Sequence, residues 1–205
     1  MTEQHANPAS QQIRAAAELA ASAVAAVPAD GWTSRTPCAD YDLTALADHL
    51  GWGAVMACAA ATRTTLENDD WSNPGRPPFL VDVATAEWAG AFERELLAAA
   101  DAWAAPAAWE GETVFATSPM PAALVGSMML AEFTLHGWDV ARSVGAAYPV
   151  ADPLGEPVLT AVQGLAQMGR DGGWYGAQVP VAGDASAFDR ALGLAGRDPA
   201  WSPPH

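Results

Sequence analysis

Apolar residues at Ile13, Ala17, Ala20, Val24 and Val27 recur in alternating steps of four and three, one stripe of an α-helix that stops before Pro28. The same period governs most of the chain. A loop over 31–39 leads to Asp42, placed to cap a second helix on which Leu46, His49, Gly53, Met56 and Ala60 trace one face to about Glu67. Residues 68–78, rich in Asp, Asn, Pro and Gly, read as a loop. Val81, Trp88, Phe92, Leu96, Ala99 and Trp103 then mark a third helix, ended by Pro106, and Glu112–Phe115 is the one short strand candidate. Ser118, with Pro119 at the first helical position, predicts a long helix ending at Gly145; Val125, Met128, Met129, Glu132, Leu135, His136 and Asp139 share one side of it. Asp152 is placed to cap a further helix from Pro153, carrying Val158, Val162, Leu165 and Met168 up to a Gly172-Gly173 stop. Beyond it come an extended piece at 179–181 and a short helix behind Ser186, whose Asp189 has capping-box spacing. Four long helices with short or moderate connections make an all-α bundle.

Such stripes fold only if enough apolar surface can be buried. At 205 residues and 51% hydrophobic the chain supports one domain with a sizeable core plus a short appendage, and disorder is excluded. The expected division is a helical bundle over 1–173 and a C-terminal tail over 174–205 packed on it. Twenty-four acidic residues stand against nine basic ones, all Arg, for a net charge of −15. That balance argues against nucleic acid and anionic membranes as partners. The longest apolar-looking stretch, 15–27, is broken by Glu18 and falls short of the ~20 residues of a membrane span. No span and no basic leader are expected, which makes the cytoplasm the expected location. Cys38 and Cys58 form neither a disulfide framework nor a Cys-x-x-Cys motif and read as small buried apolar residues. Cys38 has no obvious base beside it to make it a nucleophile.

Glu132 and His136 are four apart on one helix, so their side chains leave the same face about 5 to 6 Å apart at Cβ. Met128, Met129 and Leu135 turn that face toward the core, where a carboxylate needs a partner. His49 offers a third group from the apolar face of another helix. Two imidazoles and a carboxylate facing inward suit a divalent metal, and three protein ligands leave a position open for water or substrate. Zinc, nickel, iron and manganese all accept that donor set. The competing reading is a satisfied buried ion pair with an ordinary core histidine. Asp139, one turn past His136, either orients that ring through its N–H or pairs with Arg142 at i+3. Asp48 points away toward solvent. Trp52 and Trp138, near the two histidines in sequence, could wall a pocket, while His5 and His205 sit in the termini and carry no weight.

Residues 36–50, TPCADYDLTALADHL, and 131–145, AEFTLHGWDVARSVG, resemble the two signature stretches of the mycothiol-dependent maleylpyruvate isomerase-like proteins, which belong to the DinB-like metal-binding bundle superfamily. Residues 180–201, PVAGDASAFDRALGLAGRDPAW, are similar to the closing segment of a single-domain subgroup known mainly as metal-binding proteins. The resemblance implies a DinB-like four-helix bundle with short extra elements in the tail. It also implies that His49, Glu132 and His136 bind a divalent metal, zinc first. Characterised isomerases of the family carry a separate C-terminal domain; here only about thirty residues follow the last bundle helix.

The implied activity is that of a mycothiol-dependent enzyme of thiol-transferase or isomerase type, in which mycothiol as cosubstrate adds to a small-molecule electrophile. The alternative is a metal-binding sensor or accessory protein without turnover, and a third reading is hydrolysis by metal-bound water. A homodimer is expected.

Overall fold

The structure, a computed structural model, describes residues 7–38, 41–66 and 79–203. Helix α1, Pro8–Ala25, starts where Asn7 accepts a hydrogen bond from the Ala9 amide at 3.1 Å and Pro8 occupies the first turn. Its stripe residues Ile13, Ala17, Ala20 and Val24 are buried as their period requires. Helix α2, Leu43–Thr62, is capped by the Asp42 carboxylate, which accepts from the Ala45 amide at 2.8 Å. It ends five residues before the expected Glu67. Arg63 takes a left-handed conformation (φ 56°), and the Thr64 amide reaches back to the Ala59 carbonyl at 2.9 Å. A left-handed cap without glycine leaves no mark in a sequence. The loop expected over 68–78 lies outside the described residues.

Helix α3 is Trp88–Ala102, entered through a single 3-10 turn at Thr85–Glu87. Val81, expected on its apolar face, precedes that turn and is 52% exposed. The expected strand is present: β1, Glu112–Phe115, pairs antiparallel with β2, Ser118–Pro121. The long helix therefore does not open at Ser118. Pro119, read as a helix start, lies in β2, where the register sets it opposite Val114. The Ala122 amide bonds the Gly111 carbonyl at 2.9 Å, which phases the ladder so that Pro119 and Pro121 fall at positions needing no amide proton. Ala116 and Thr117, at φ 48° and 67°, make the two-residue turn.

Helix α4, Ala122–Ser143, follows the hairpin and is buried on nearly every side over its second half. Helix α5 is Asp152–Asp171, with Ala151 rather than Asp152 at the cap, so Asp152 is its first residue and sits where the helix dipole favours a negative charge. Gly172 and Gly173 end it. Residues 179–181 belong to no strand, although the Val179 amide donates to the Gly193 carbonyl at 2.9 Å. Helix α6, Ala187–Leu194, is capped by Ser186, whose hydroxyl oxygen accepts from the Asp189 amide at 3.0 Å.

Helices α1 and α2 occupy opposite corners of a four-helix bundle, each flanked by α3 and α4; α5 packs on α4, and α6 on α5. The core runs through Ile13, Leu46, Leu50, Phe92, Leu96, Trp103, Val125 and Phe133. Trp103 satisfies its buried indole N–H on the Ala57 carbonyl at 2.9 Å. Among the described residues one helix, α2, is long and apolar enough by length and composition to cross a membrane, and more than half of that stretch is buried inside the bundle. The most apolar helix is thus α2 rather than the 15–27 stretch. At Gly137 the α1 backbone comes so close that a Cβ would lie 3.0 Å from the Ala20 Cα.

The segment after α6 turns back onto α4. Gly196 (φ 83°) makes the bend, and the Arg142 guanidinium donates to the Trp201 carbonyl. A Cβ on Gly196 would lie 2.6 Å from the Gly176 Cα. Gly196→Ala therefore combines backbone strain with overpacking and is expected to lower stability by about 1–3 kcal/mol. Gly176→Ala, whose Cβ would meet only ordinary contacts at 3.6 Å, should change little. Urea titrations of both variants check the pair.

Candidate metal centre

His49 enters from α2, while Glu132 and His136 enter from adjacent turns of α4. The bundle places those two helices side by side, which carries the three side chains to one point. Nε2 of His49 lies 3.1 Å from Glu132 Oε1, and Nε2 of His136 lies 3.6 Å from Oε2. One donor atom from each residue falls within 4.8 Å of the others. The imidazole rings stand edge to face, 5.0 Å apart and inclined by 82°. Side-chain exposures of 21%, 18% and 10% for His49, Glu132 and His136 leave the cluster shielded yet reachable.

Burial alone would raise the Glu132 carboxyl pKa, but the neighbouring His136 and His49, with Arg197 further off, more than offset it and hold it at about 2. Glu132 is therefore an anion throughout the neutral range. Its buried Oε1 has His49 Nε2 3.1 Å away as an ion-pair contact among the described residues, off line for a well-directed hydrogen bond. At 3.6 Å the contact from His136 to Oε2 is also too long to be one. An ion pair would serve this acceptor through the His49 contact alone, whereas a cation between the three donors would engage all of them. Two imidazole nitrogens and a carboxylate, all inward, fit a divalent ion such as zinc.

Each imidazole is held from behind. Tyr41 stacks on the His49 ring at 5.3 Å, delivered by a loop in which the Thr36 hydroxyl lies 2.7 Å from the Cys38 carbonyl and 2.8 Å from that of Tyr41. Nδ1 of His136 lies 2.9 Å from Asp139 Oδ2. Asp139 is fully buried and grips Arg197, which is itself 6% exposed; Nε is 3.1 Å from both carboxylate oxygens and Nη2 is 2.8 Å from Oδ2. Burial works against both charges. The guanidinium and the His136 hydrogen bond nevertheless lower the Asp139 pKa, and the carboxylate raises that of Arg197. Burial also pushes Tyr175 up to about 12, with Arg197 opposing and Glu132 adding to the shift, so its phenol stands within electrostatic reach of the cluster.

Of the two partners foreseen for Asp139, the structure takes His136. Arg142 does not pair with Asp139; its guanidinium reaches the Trp201 carbonyl instead. Asp48, expected to face solvent, is half-buried and accepts a hydrogen bond from the Phe79 amide. Trp138 is buried in the core and Trp52 half-buried, while it is Tyr41 that stacks on a site histidine. Cys38 and Cys58, expected buried, are both half-buried, and burial followed by the charge of Glu95 raises the Cys58 thiol pKa. His5 and His205 lie outside the described residues. Arg197, Tyr175 and Tyr41 were not foreseen. A signal existed for the first: with nine arginines and no lysine, the cation answering a buried acid comes from a short roster.

The family model described as Mycothiol maleylpyruvate isomerase N-terminal domain matches residues 13–141, more than half of the chain, and spans His49, Glu132 and His136. Arg197 lies beyond the matched residues. No curated protein matches. Crystal structures of the mycothiol-dependent maleylpyruvate isomerase and of a histidine-to-alanine mutant of it superpose with TM-scores of 0.54 and 0.55. Both are 16% identical in sequence, and each match covers 77% of this chain and 68% of the other. At that identity they show the fold alone, a helical bundle.

The buried Asp139–Arg197 pair gives a stability test of its own. Asp139→Asn and Arg197→Met each strand one buried group, so each should lose about 3–5 kcal/mol. The double variant should lose clearly less than the sum, because the second change removes the group the first one stranded. Chemical denaturation of the four proteins measures the coupling, and strict additivity would mean that the pair does not interact.

Proposed function

The chain belongs to the mycothiol maleylpyruvate isomerase N-terminal domain family, and on that premise we propose that it is a metal-dependent, mycothiol-using enzyme of thiol-transferase or isomerase type. His49, Glu132 and His136 would hold the divalent cation, with zinc first among the metals suited to the donor set. The observation that carries this reading is the buried Glu132 carboxylate flanked by two imidazoles, His49 Nε2 at 3.1 Å from Oε1 and His136 Nε2 at 3.6 Å from Oε2, with no well-directed hydrogen bond to Oε1 among the described residues. A divalent cation there would supply Lewis acidity, lowering the pKa of a coordinated thiol so that its thiolate is present at neutral pH.

The chain's own residues provide the rest. Glu132 is anionic without needing a base to deprotonate it. Asp139 accepts from Nδ1–H of His136, which leaves Nε2, on the Glu132 side, as the nitrogen that would coordinate the cation. Tyr41 limits the rotation of the His49 ring. The partial exposure of the three side chains gives a small molecule access to them. The names of the matched family and of the two solved structures support mycothiol as the thiol.

Thermal melts of wild type and Glu132→Gln, with and without zinc, test the metal. Zinc should raise the melting temperature of wild type and hardly move that of Glu132→Gln, whose affinity should fall on the order of 100-fold or more. Without zinc the variant should be as stable as wild type or slightly more so, since a buried charge has been replaced by a neutral amide. Equal zinc stabilisation of both proteins would remove Glu132 from the ligand set. Activity is tested by incubating zinc-loaded protein with mycothiol and a panel of small electrophiles. Mycothiol-dependent consumption of one of them, lost in Glu132→Gln, is the expected result. Zinc binding with no mycothiol binding and no turnover would favour a sensor or accessory role.

A further inference from the structure

We propose that Arg197 is a positioning residue of the metal centre, acting on His136 through Asp139, so that the segment after α6 is a working part of the site. The inference rests on the reading that His49, Glu132 and His136 hold a cation.

Arg197 stands 58 residues beyond Asp139 in the chain, yet its guanidinium covers both Asp139 oxygens, and its Nη2 lies 3.4 Å from His136 Nδ1. Its Nη1 donates to the Ala195 carbonyl at 3.2 Å, which ties the guanidinium to its own turn. Arginine offers donors and no acceptor, so the carboxylate accepts from it at both oxygens. The carboxylate is an acceptor only. At 2.9 Å from Oδ2, His136 Nδ1 therefore carries the proton, because two acceptors would repel at that distance. With Nδ1 committed, Nε2 is the nitrogen left to coordinate a cation, and it is the one facing Glu132. Without Arg197 the Asp139 carboxylate would be a buried anion with one neutral donor, free to turn about its own bond and to carry the imidazole with it.

The segment is built to bring this cation in. The Arg197 amide bonds the Leu192 carbonyl at 2.9 Å, Gly196 takes the positive φ that reverses the chain, and Arg142 on α4 holds the Trp201 carbonyl on the far side. The guanidinium is thus pinned before and after, against the face of α4 that carries His136.

Arg197→Met and Arg197→Lys, made in the full chain, test the proposal. Zinc affinity is measured by competition with a chromophoric chelator, and the cobalt-loaded proteins are compared by their visible d–d absorption; circular dichroism establishes that each variant is folded. Arg197→Met should bind zinc 10- to 100-fold more weakly than wild type and show altered cobalt bands. Arg197→Lys keeps the charge but loses the planar two-nitrogen grip, and should recover part of the affinity. A folded Arg197→Met with wild-type affinity within about twofold and an unchanged cobalt spectrum would overturn the proposal and leave the pair a purely structural one. If Arg197→Met does not fold, Arg197→Lys decides: wild-type zinc affinity with a wild-type cobalt spectrum overturns the proposal, and a weakened, spectrally altered site supports it. Glu132→Gln measured alongside separates the two levels, because undiminished zinc binding there would remove the triad itself.

Discussion

The Glu132 carboxylate sets the terms for the centre of this bundle. An anion removed from water must be matched by opposite charge or by donors, and the groups that face this one are two imidazoles. His49 Nε2 lies 3.1 Å from Oε1 and His136 Nε2 3.6 Å from Oε2, so that one potential ligand atom from each residue falls within 4.8 Å of the others. The two imidazoles, with Arg197 further off, hold its pKa at about 2, so the carboxylate stays charged through the neutral range.

The need to match it is met through layers arranged by the fold. With α1 and α2 at opposite corners, α2 and α4 are neighbours, which joins His49 to the Glu132–His136 pair. The loop before α2 lays Tyr41 on one imidazole, and the segment after α6 delivers Arg197 behind the other. The second arrangement is the more expensive in free energy, since two charges are fully desolvated, and such pairs are often no more stabilising than apolar replacements. Its presence beside a candidate ligand is what makes a positioning role the physical reading of Arg197.

The helices and the Glu132–His136 pair were legible in the sequence because both depend on local spacing, and His49 offered itself as a third group by lying on the apolar face of another helix. Stripes at Ile13–Val24 and Leu46–Ala60 are statements about a 3.6-residue period, and Glu132 with His136 is a four-residue step on one of them. What could not be read depends on backbone conformations or distances that carry no local mark. The β-hairpin turns on Ala116 and Thr117, neither of which advertises a positive φ as Asn-Gly would, and Pro119 suits an unpaired ladder position as well as a helix start. The early end of α2 has the same cause in Arg63. Arg142 at i+3 was the local candidate for Asp139; the observed partner is Arg197, reached by a chain reversal at Gly196 that the short-range pattern does not encode.

The central claim, that these three side chains form a metal site, is tested most directly by zinc-edge X-ray absorption on the chain loaded with one equivalent of the ion. The account predicts a first shell of nitrogen and oxygen only, at about 2.0–2.2 Å, with the outer-shell scattering of two imidazoles. A sulfur shell at about 2.3 Å, drawn from Cys38 or Cys58, or failure of the protein to retain zinc, would contradict it.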